Sequence, residues 1–197
     1  MHIYELDGLV PVISKQAFVH ETAVIIGDVF IEEGVYIGPN ACLRGDFGRI
    51  IIRKDANIQD CCVCHSFPNI DVVVEEKGHI GHSAILHGCH VKYNAMVGMG
   101  CVVMDEAVIG ENSIIGASSL VPSKTVIPDN HLAFGNPAKV RRQLSEDEIS
   151  WKKAGSQEYT NLAYNCLENL KKCEPLRQSD EQREALRCQM SYKPKHK

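Results

Sequence analysis

The chain has 197 residues, 44% of them hydrophobic, which is one domain's worth with enough apolar material for a core. Its 21 basic and 25 acidic residues leave a formal net charge of −4 with no basic stripe, which argues against a nucleic-acid-binding surface. No apolar run approaches the ~18 residues of a membrane span, so no membrane partner is expected.

Met1 to Asp7 carries neither a basic region nor an apolar core, so no secretory signal is expected there. Nine cysteines, an odd number, in a chain without such a signal fit a reducing compartment, and the expected location is cytoplasmic.

From Val19 an aliphatic residue recurs every six positions, at Ile25, Ile31, Ile37 and Leu43, with Ala23, Val29, Val35 and Ala41 each four residues after one of them. Phe47 breaks the series, and a second stretch follows in a shifted phase with Ile52, Ile58 and Cys64. The third runs from Val91 through Val97, Val103, Ile109 and Ile115 to Val121, with Ala95, Cys101, Ala107, Ser113, Ser119 and Thr125 in the small position. This is a hexapeptide repeat, and it predicts an all-β solenoid, a left-handed parallel β-helix. Each unit supplies a short strand whose aliphatic side chain points into a narrow interior, and three units make a coil. The small residue fits the tight corner, while Gly, Asn and Asp supply turn conformations, as in Ile37-Gly-Pro-Asn. Coils are stable only when stacked. An antiparallel sandwich is the competing architecture, and a sustained period of six disfavours it.

Cys62, Cys64 and Cys101 fall at inward positions, where Cys packs as a small hydrophobe. A thiolate metal site or nucleophile built from Cys61, Cys62, Cys64 and His65 is disfavoured, because alternate residues of a strand point to opposite sides. Two interruptions of the repeat attract functional interest: Arg44-Gly-Asp-Phe-Gly-Arg49, where the phase resets, and Phe67 to Gly78, read as a loop pushed out of the scaffold.

After Val126 the organisation changes. The segment from His131 to Lys139 reads as the exit from the solenoid, and Ser145-Glu-Asp-Glu148 is a capping box that opens an α-helix. The helix is expected to run to about Lys172 with Ile149, Leu162, Cys166 and Leu170 buried, and Pro175 prevents continuation. A short helix around Asp180 to Gln189 and a frayed end from Tyr192 complete the reading. Residues 1–140 are thus assigned to the β-helix with its N-terminal segment, and 141–197 to a C-terminal helical region packed on it.

Three histidines interrupt this aliphatic grammar: His65, His82 and His87. Three imidazoles are what an open catalytic zinc site needs. His65 and His87 each follow an inward residue and so point outward in equivalent places, whereas His82 lies a hexad earlier, on a different face. They cannot converge from one slender prism, but they can where two chains meet. The expectation is a homotrimer with a metal at each subunit interface, His65 and His87 from one chain and His82 from its neighbour. Such an ion leaves room for a water whose pKa falls to ~7. The bland alternative makes these histidines surface turn residues, as His20, His90, His131 and His196 are read; His79 is left as a turn or supporting group.

The order Arg44-Gly-Asp46, Asn57-Ile-Gln59-Asp60, His65, His82-Ser-Ala-Ile-Leu-His87-Gly resembles the γ-class carbonic anhydrase family of left-handed β-helices, over residues ~10 to ~172. Within it the chain is most similar to the subgroup that contains the phenylacetate-degradation protein PaaY and the carnitine operon protein CaiE. Asp7-Gly-Leu-Val-Pro-Val, Gly78-His-Ile-Gly-His-Ser-Ala-Ile-Leu-His-Gly-Cys and Glu174-Pro-Leu-Arg carry that likeness. The resemblance implies His65, His82 and His87 as ligands of zinc, with iron or cobalt as alternatives. It implies Gln59 beside the ion's water, an Arg44–Asp60 ion pair across the trimer interface, and Asp46 in the same network. No separate organic cofactor is implied. These four polar residues are expected either to take part in catalysis or to hold the trimer together.

Where the best-studied γ-class members carry Glu in an Arg-Gly-Asp-Glu stretch, this chain has Phe47, and no acidic residue closely follows His65 to export protons. CO2 hydration to bicarbonate should suffer, while Phe47 and Phe67 suit an acyl or aromatic group. The expected enzyme is a zinc-dependent hydrolase, a thioesterase acting on acyl-CoA as in phenylacetate degradation, with CO2 hydration beside it. A metal-free hexapeptide acyltransferase and a non-catalytic scaffold retaining the metal site remain the alternatives.

Overall fold

The structure, a computed structural model, describes residues 1–178 and is a left-handed parallel β-helix with one C-terminal α-helix. The short helix expected at 180–189 and the tail from Tyr192 lie outside the described residues. No helix among the described residues is long and apolar enough to cross a membrane.

Strands of two or three residues stack on their counterparts one coil away, all parallel: Val102 on Leu120, Val108 on Val126, Ile114 on Leu132. The inward residues read from the repeat are buried as expected. Ile25, Ile37, Leu43, Ile58, Cys64, Val97, Ile109 and Ile115 have no exposed surface, and Ile80 and Leu86 carry the series through the gap between the stretches. Each fully buried aliphatic chain of this kind stabilises by about 1.5–3 kcal/mol. Corners are made by residues in the left-handed region, among them Asn94, Asn112 and Asn130. Their amides form a ladder, Asn94 Nδ2 donating to Asn112 Oδ1 at 2.8 Å and Asn112 Nδ2 to Asn130 Oδ1 at 2.9 Å.

At the first interruption, Arg44 to Arg49, the phase resets as read, within the longest strand, Cys42–Ile52, which pairs with Val24–Ile31 through a register shift. Gly45 is required there, because a Cβ would lie 2.5 Å from the Asp28 carbonyl oxygen. The second differs from expectation: Val72–Val74 already belongs to the solenoid, paired with Ile50–Ile52. The apolar alternation at 72–74 is short, and the sequence reading merged it with the excursion. Residues 66–71 leave the prism, so His65 and His87 lie 22 apart in sequence, against 18 for Asn94 and Asn112.

Near the C-terminus, His131–Gly135 turns back on Ala138–Gln143 as an antiparallel pair. The helix then spans Glu146–Asn169, with the capping box between Ser145 and Glu148 formed as read. Its buried stripe is Lys152, Gly155, Ser156, Thr160 and Ala163, whereas Leu162 and Leu170 are exposed, and Ile149 and Cys166 are only partly covered. The face beneath it carries the broad rings of Phe18 and Tyr36, packed on Ala163, beside polar groups met by Lys152 and Ser156, so small and polar residues at helical spacing make the close approach. Lys152 shows this best: its Nζ donates to Lys77 O at 3.0 Å and Asn94 Oδ1 at 2.9 Å and lies 3.0 Å from the Ser156 hydroxyl, ending the asparagine ladder. Burial, and next the charge of Lys77, push its ammonium well below the ordinary lysine range.

Candidate functional site

His65 ends the strand Val63–His65 and His87 ends Ile85–His87, and the two residues pair in register on adjacent coils. Their rings project outward one above the other, bringing His65 Nδ1 to 3.3 Å from His87 Nε2. The far nitrogens are held by carboxylates, His65 Nε2 at 2.8 Å from Asp46 Oδ1 and His87 Nδ1 at 2.7 Å from Asp105 Oδ1. Arg44 pairs with Asp46 from the other side. Burial opposes ionisation of Asp46, but the hydrogen bonds and charges of Arg44 and His65 outweigh it and hold the carboxyl below its ordinary value. Gly88 makes the Asp105 contact feasible, since a Cβ on it would sit 2.6 Å from Asp105 Oδ1.

His82 stands at the preceding corner. Its Nδ1 lies 2.6 Å from Asp60 Oδ2, and nothing among the described residues bonds to its Nε2. Within one chain it does not join the other two, and no group of three His, Cys, Asp or Glu side chains among the described residues is arranged to hold an ion. Arg44 and Asp60 likewise have separate partners within the chain, Asp46 and His82.

These residues fit a divalent ion. Two imidazole nitrogens, each about 2.0–2.1 Å from a tetrahedral zinc, stand about 3.3–3.4 Å apart. The His65–His87 separation of 3.3 Å matches this edge. A carboxylate on the far nitrogen is the usual way a ligating imidazole is oriented, and each of the three histidines has one. What the pair lacks within one chain is a third donor, and what His82 lacks is a use for Nε2.

Phe47 lies against His65 with ring centroids 5.4 Å apart, and Phe67 meets His87 edge-on at 5.2 Å. Both phenyl rings are more than half exposed, so they wall the histidines without filling the approach. A cleft of about 260 Å³ opens beside Asp46, lined by Leu9, Asp28, Phe47, Arg49, Asn69 and Asp71. Gln59 is nearly buried, one residue before Asp60, with its amide nitrogen shared between Asn57 and His79.

Sequence reasoning missed Asp105 and placed His79 nowhere in particular. Asp105 was findable: it stands 18 residues after His87, one coil of the prism. Cys62, Cys64 and Cys101 are core residues, as read from the repeat, and so is Cys89. Burial raises the Cys62 thiol to about 11 and Cys89 to about 12, despite backbone hydrogen bonds that pull the other way. Neither is a ligand or nucleophile near neutral pH.

A comparison with family models finds no match. Among curated proteins, the carnitine operon protein CaiE of Escherichia coli (strain K12) is 47% identical over 195 residues, covering 99% of this chain and 100% of the relative. Its counterpart in Salmonella agona (strain SL483) is also 47% identical, over 99% of this chain and 98% of the relative. Among solved structures, a Bacillus cereus protein described as a candidate acetyltransferase superposes with a TM-score of 0.84 at 37% identity, covering 85% of this chain and 97% of that one. A hexapeptide transferase family protein from Anaplasma phagocytophilum gives 0.79 at 37% identity, over 82% and 96%.

Proposed function

The chain belongs to the family of the carnitine operon protein CaiE, and from that premise we propose that it is a metal-dependent hydrolase of acyl-CoA thioesters with CO2 hydration as a secondary activity. The working unit is a homotrimer in a reducing compartment such as the cytoplasm. Each site is made by His65 and His87 of one subunit and the partner subunit's His82, and holds zinc, iron or cobalt. The observation that carries this reading is the set of three imidazoles, each fixed by a carboxylate on one nitrogen. Two of them face each other at a ligand-to-ligand spacing, while the third presents an unused nitrogen.

An ion bound there supplies a Lewis acid and a water of lowered pKa. The chain does the rest. Asp46, kept charged by Arg44, fixes the tautomer and tilt of His65; Asp105 and Asp60 do the same for His87 and His82. In the assembled trimer Arg44 also reaches the partner subunit's Asp60, tying the interface to the ligand shell. Phe47 and Phe67 offer an acyl chain apolar surface and thin the water around the histidines. Overall, water adds to the thioester carbonyl carbon, the carbon–sulfur bond breaks, and carboxylic acid and free thiol leave. With CO2 the same addition yields bicarbonate and a proton, and Phe47 gives that proton no carrier.

A second reading, a metal-free acyltransferase, is favoured by the likeness to the two transferase-type structures. One experiment separates the two. Purified protein is assayed for molecular mass, bound metal, hydrolysis of a panel of acyl-CoAs and CO2 hydration, with and without chelator. A trimer with one metal per subunit and chelator-sensitive hydrolysis supports the proposal. Metal-free protein that transfers the acyl group to an acceptor overturns it.

A further inference from the structure

Asn57, Gln59 and His79 form a polar trio on the prism face beneath the helix. Asn57 and His79 are register partners on adjacent coils, and Gln59, two residues after Asn57, points to the same side. Gln59 Nε2 donates to Asn57 Oδ1 at 3.0 Å and lies 2.8 Å from His79 Nε2. An amide nitrogen has two protons, and both are thereby used. With the amide in this orientation His79 Nε2 accepts, which puts the imidazole proton on Nδ1. Gln59 Oε1 takes part in neither bond.

We infer that His79 is a positioning residue that locks the Gln59 amide with its carbonyl oxygen turned out as a hydrogen-bond acceptor beside the Asp60–His82 corner. The catalytic consequence rests on the hydrolase reading above; the geometry does not. At that place an acceptor receives a hydrogen bond from the attacking water and aims its lone pair. An inverted amide would present two donors instead and compete for that lone pair.

Three observations support the lock. His79 is enclosed, with Tyr159 edge-on at 5.2 Å and 87°. Burial, then the charges of Lys152 and His82, lowers its pKa to about 3, so it stays a neutral acceptor. The trio is also expensive: Asn57 Nδ2 and His79 Nδ1 are buried donors without partners. Such orphans cost about 1–3 kcal/mol each, and packing alone would favour apolar residues at 57 and 79.

The test uses His79→Leu, which removes the acceptor, and His79→Gln, which can restore one, each alone and combined with Gln59→Ala in the full-length protein. Nitrogen-15 NMR of the parent should show the Nδ1–H tautomer of His79 and a Gln59 side-chain amide slow to exchange. In His79→Leu that amide should exchange rapidly, and kcat should fall on the order of 10-fold with KM and metal content unchanged. His79→Gln should recover part of both. In the Gln59→Ala background His79→Leu should cost nothing further, because the two act as a unit. An Nε2–H tautomer, an unchanged Gln59 amide in His79→Leu, or additive losses in the double variant would overturn the assignment. A parent that turns over no thioester or CO2 defeats the hydrolase reading instead, while the NMR arms still decide the lock.

Discussion

Asp105 lies outside every motif of the sequence, and the structure makes it the support of His87, one of the three proposed ligands. It is nearly buried, and its Oδ1 accepts from His87 Nδ1 at 2.7 Å, leaving His87 Nε2 as the nitrogen that faces His65. Replacing Asp105 with Ala removes a charged acceptor worth about 1.5–3 kcal/mol to the oriented ring. At 1.4 kcal/mol per factor of ten this is roughly 10- to 100-fold in zinc affinity, the range typical of such supporting carboxylates. Asp105→Asn keeps an acceptor oxygen but loses the charge, so it should fall near the weaker end. Affinity is measured by competition against a chromophoric chelator, with trimer mass and melting temperature followed in parallel. Equal zinc affinity in the parent and both variants, with the fold intact, would refute the claim that Asp105 orients a ligand.

Three further outcomes are expected. Neither His82→Ala nor His87→Ala should hold metal alone, but mixed trimers of the two should recover sites by atomic absorption; no recovery in verified mixed trimers would mean that each site is built within one subunit. Lys152→Met should flatten the pH dependence of stability. Between its depressed folded pKa and the ordinary ~10.4, the unfolded chain binds a proton that the folded chain does not. The parent therefore gains stability as pH rises through that window and loses it as pH falls. The parent-minus-variant difference in thermal stability between pH 7 and pH 10 reads this, and a constant difference contradicts it. Phe47→Glu should shift the ratio of CO2 hydration to thioester hydrolysis upward at constant metal content, because it supplies a proton carrier and repels the CoA phosphates. An unmoved ratio reduces Phe47 to packing.

The solenoid was legible because the period of six is imposed by the prism itself: every third unit returns to the same face, so Ile37, Ile58, Ile80 and Val97 stack in one column whatever else the sequence does. His65, His82 and His87 stood out as candidates because they interrupt a run of aliphatic and small residues, and the structure brings the first and last of them together. Less was visible where contacts run between coils. Asp105 is reached only by counting one coil on from His87, and Asp46 was named from its motif without its bond to His65, 19 residues away. The helix was found from its capping box but its face was misread, because Lys152, Gly155, Ser156, Thr160 and Ala163 follow helical spacing without hydrophobicity. Whether Arg44 meets Asp60 is a question between chains, and one chain pairs each with something nearer.

The hairpin at the end of the solenoid has a consequence beyond its own stability. A stack of parallel strands is an open template at its last coil, able in principle to accept another copy's first coil and grow into a fibre. Here the final strand of one face, Ala138–Gln143, runs against the direction of the stack and so offers an incoming coil the wrong polarity. It also carries exposed Lys139, Arg141 and Arg142, with Arg142 anchored to Glu148 at the head of the helix and Arg141 over the Phe134 ring. The segment is a chain terminator in the polymer sense for the face that it closes.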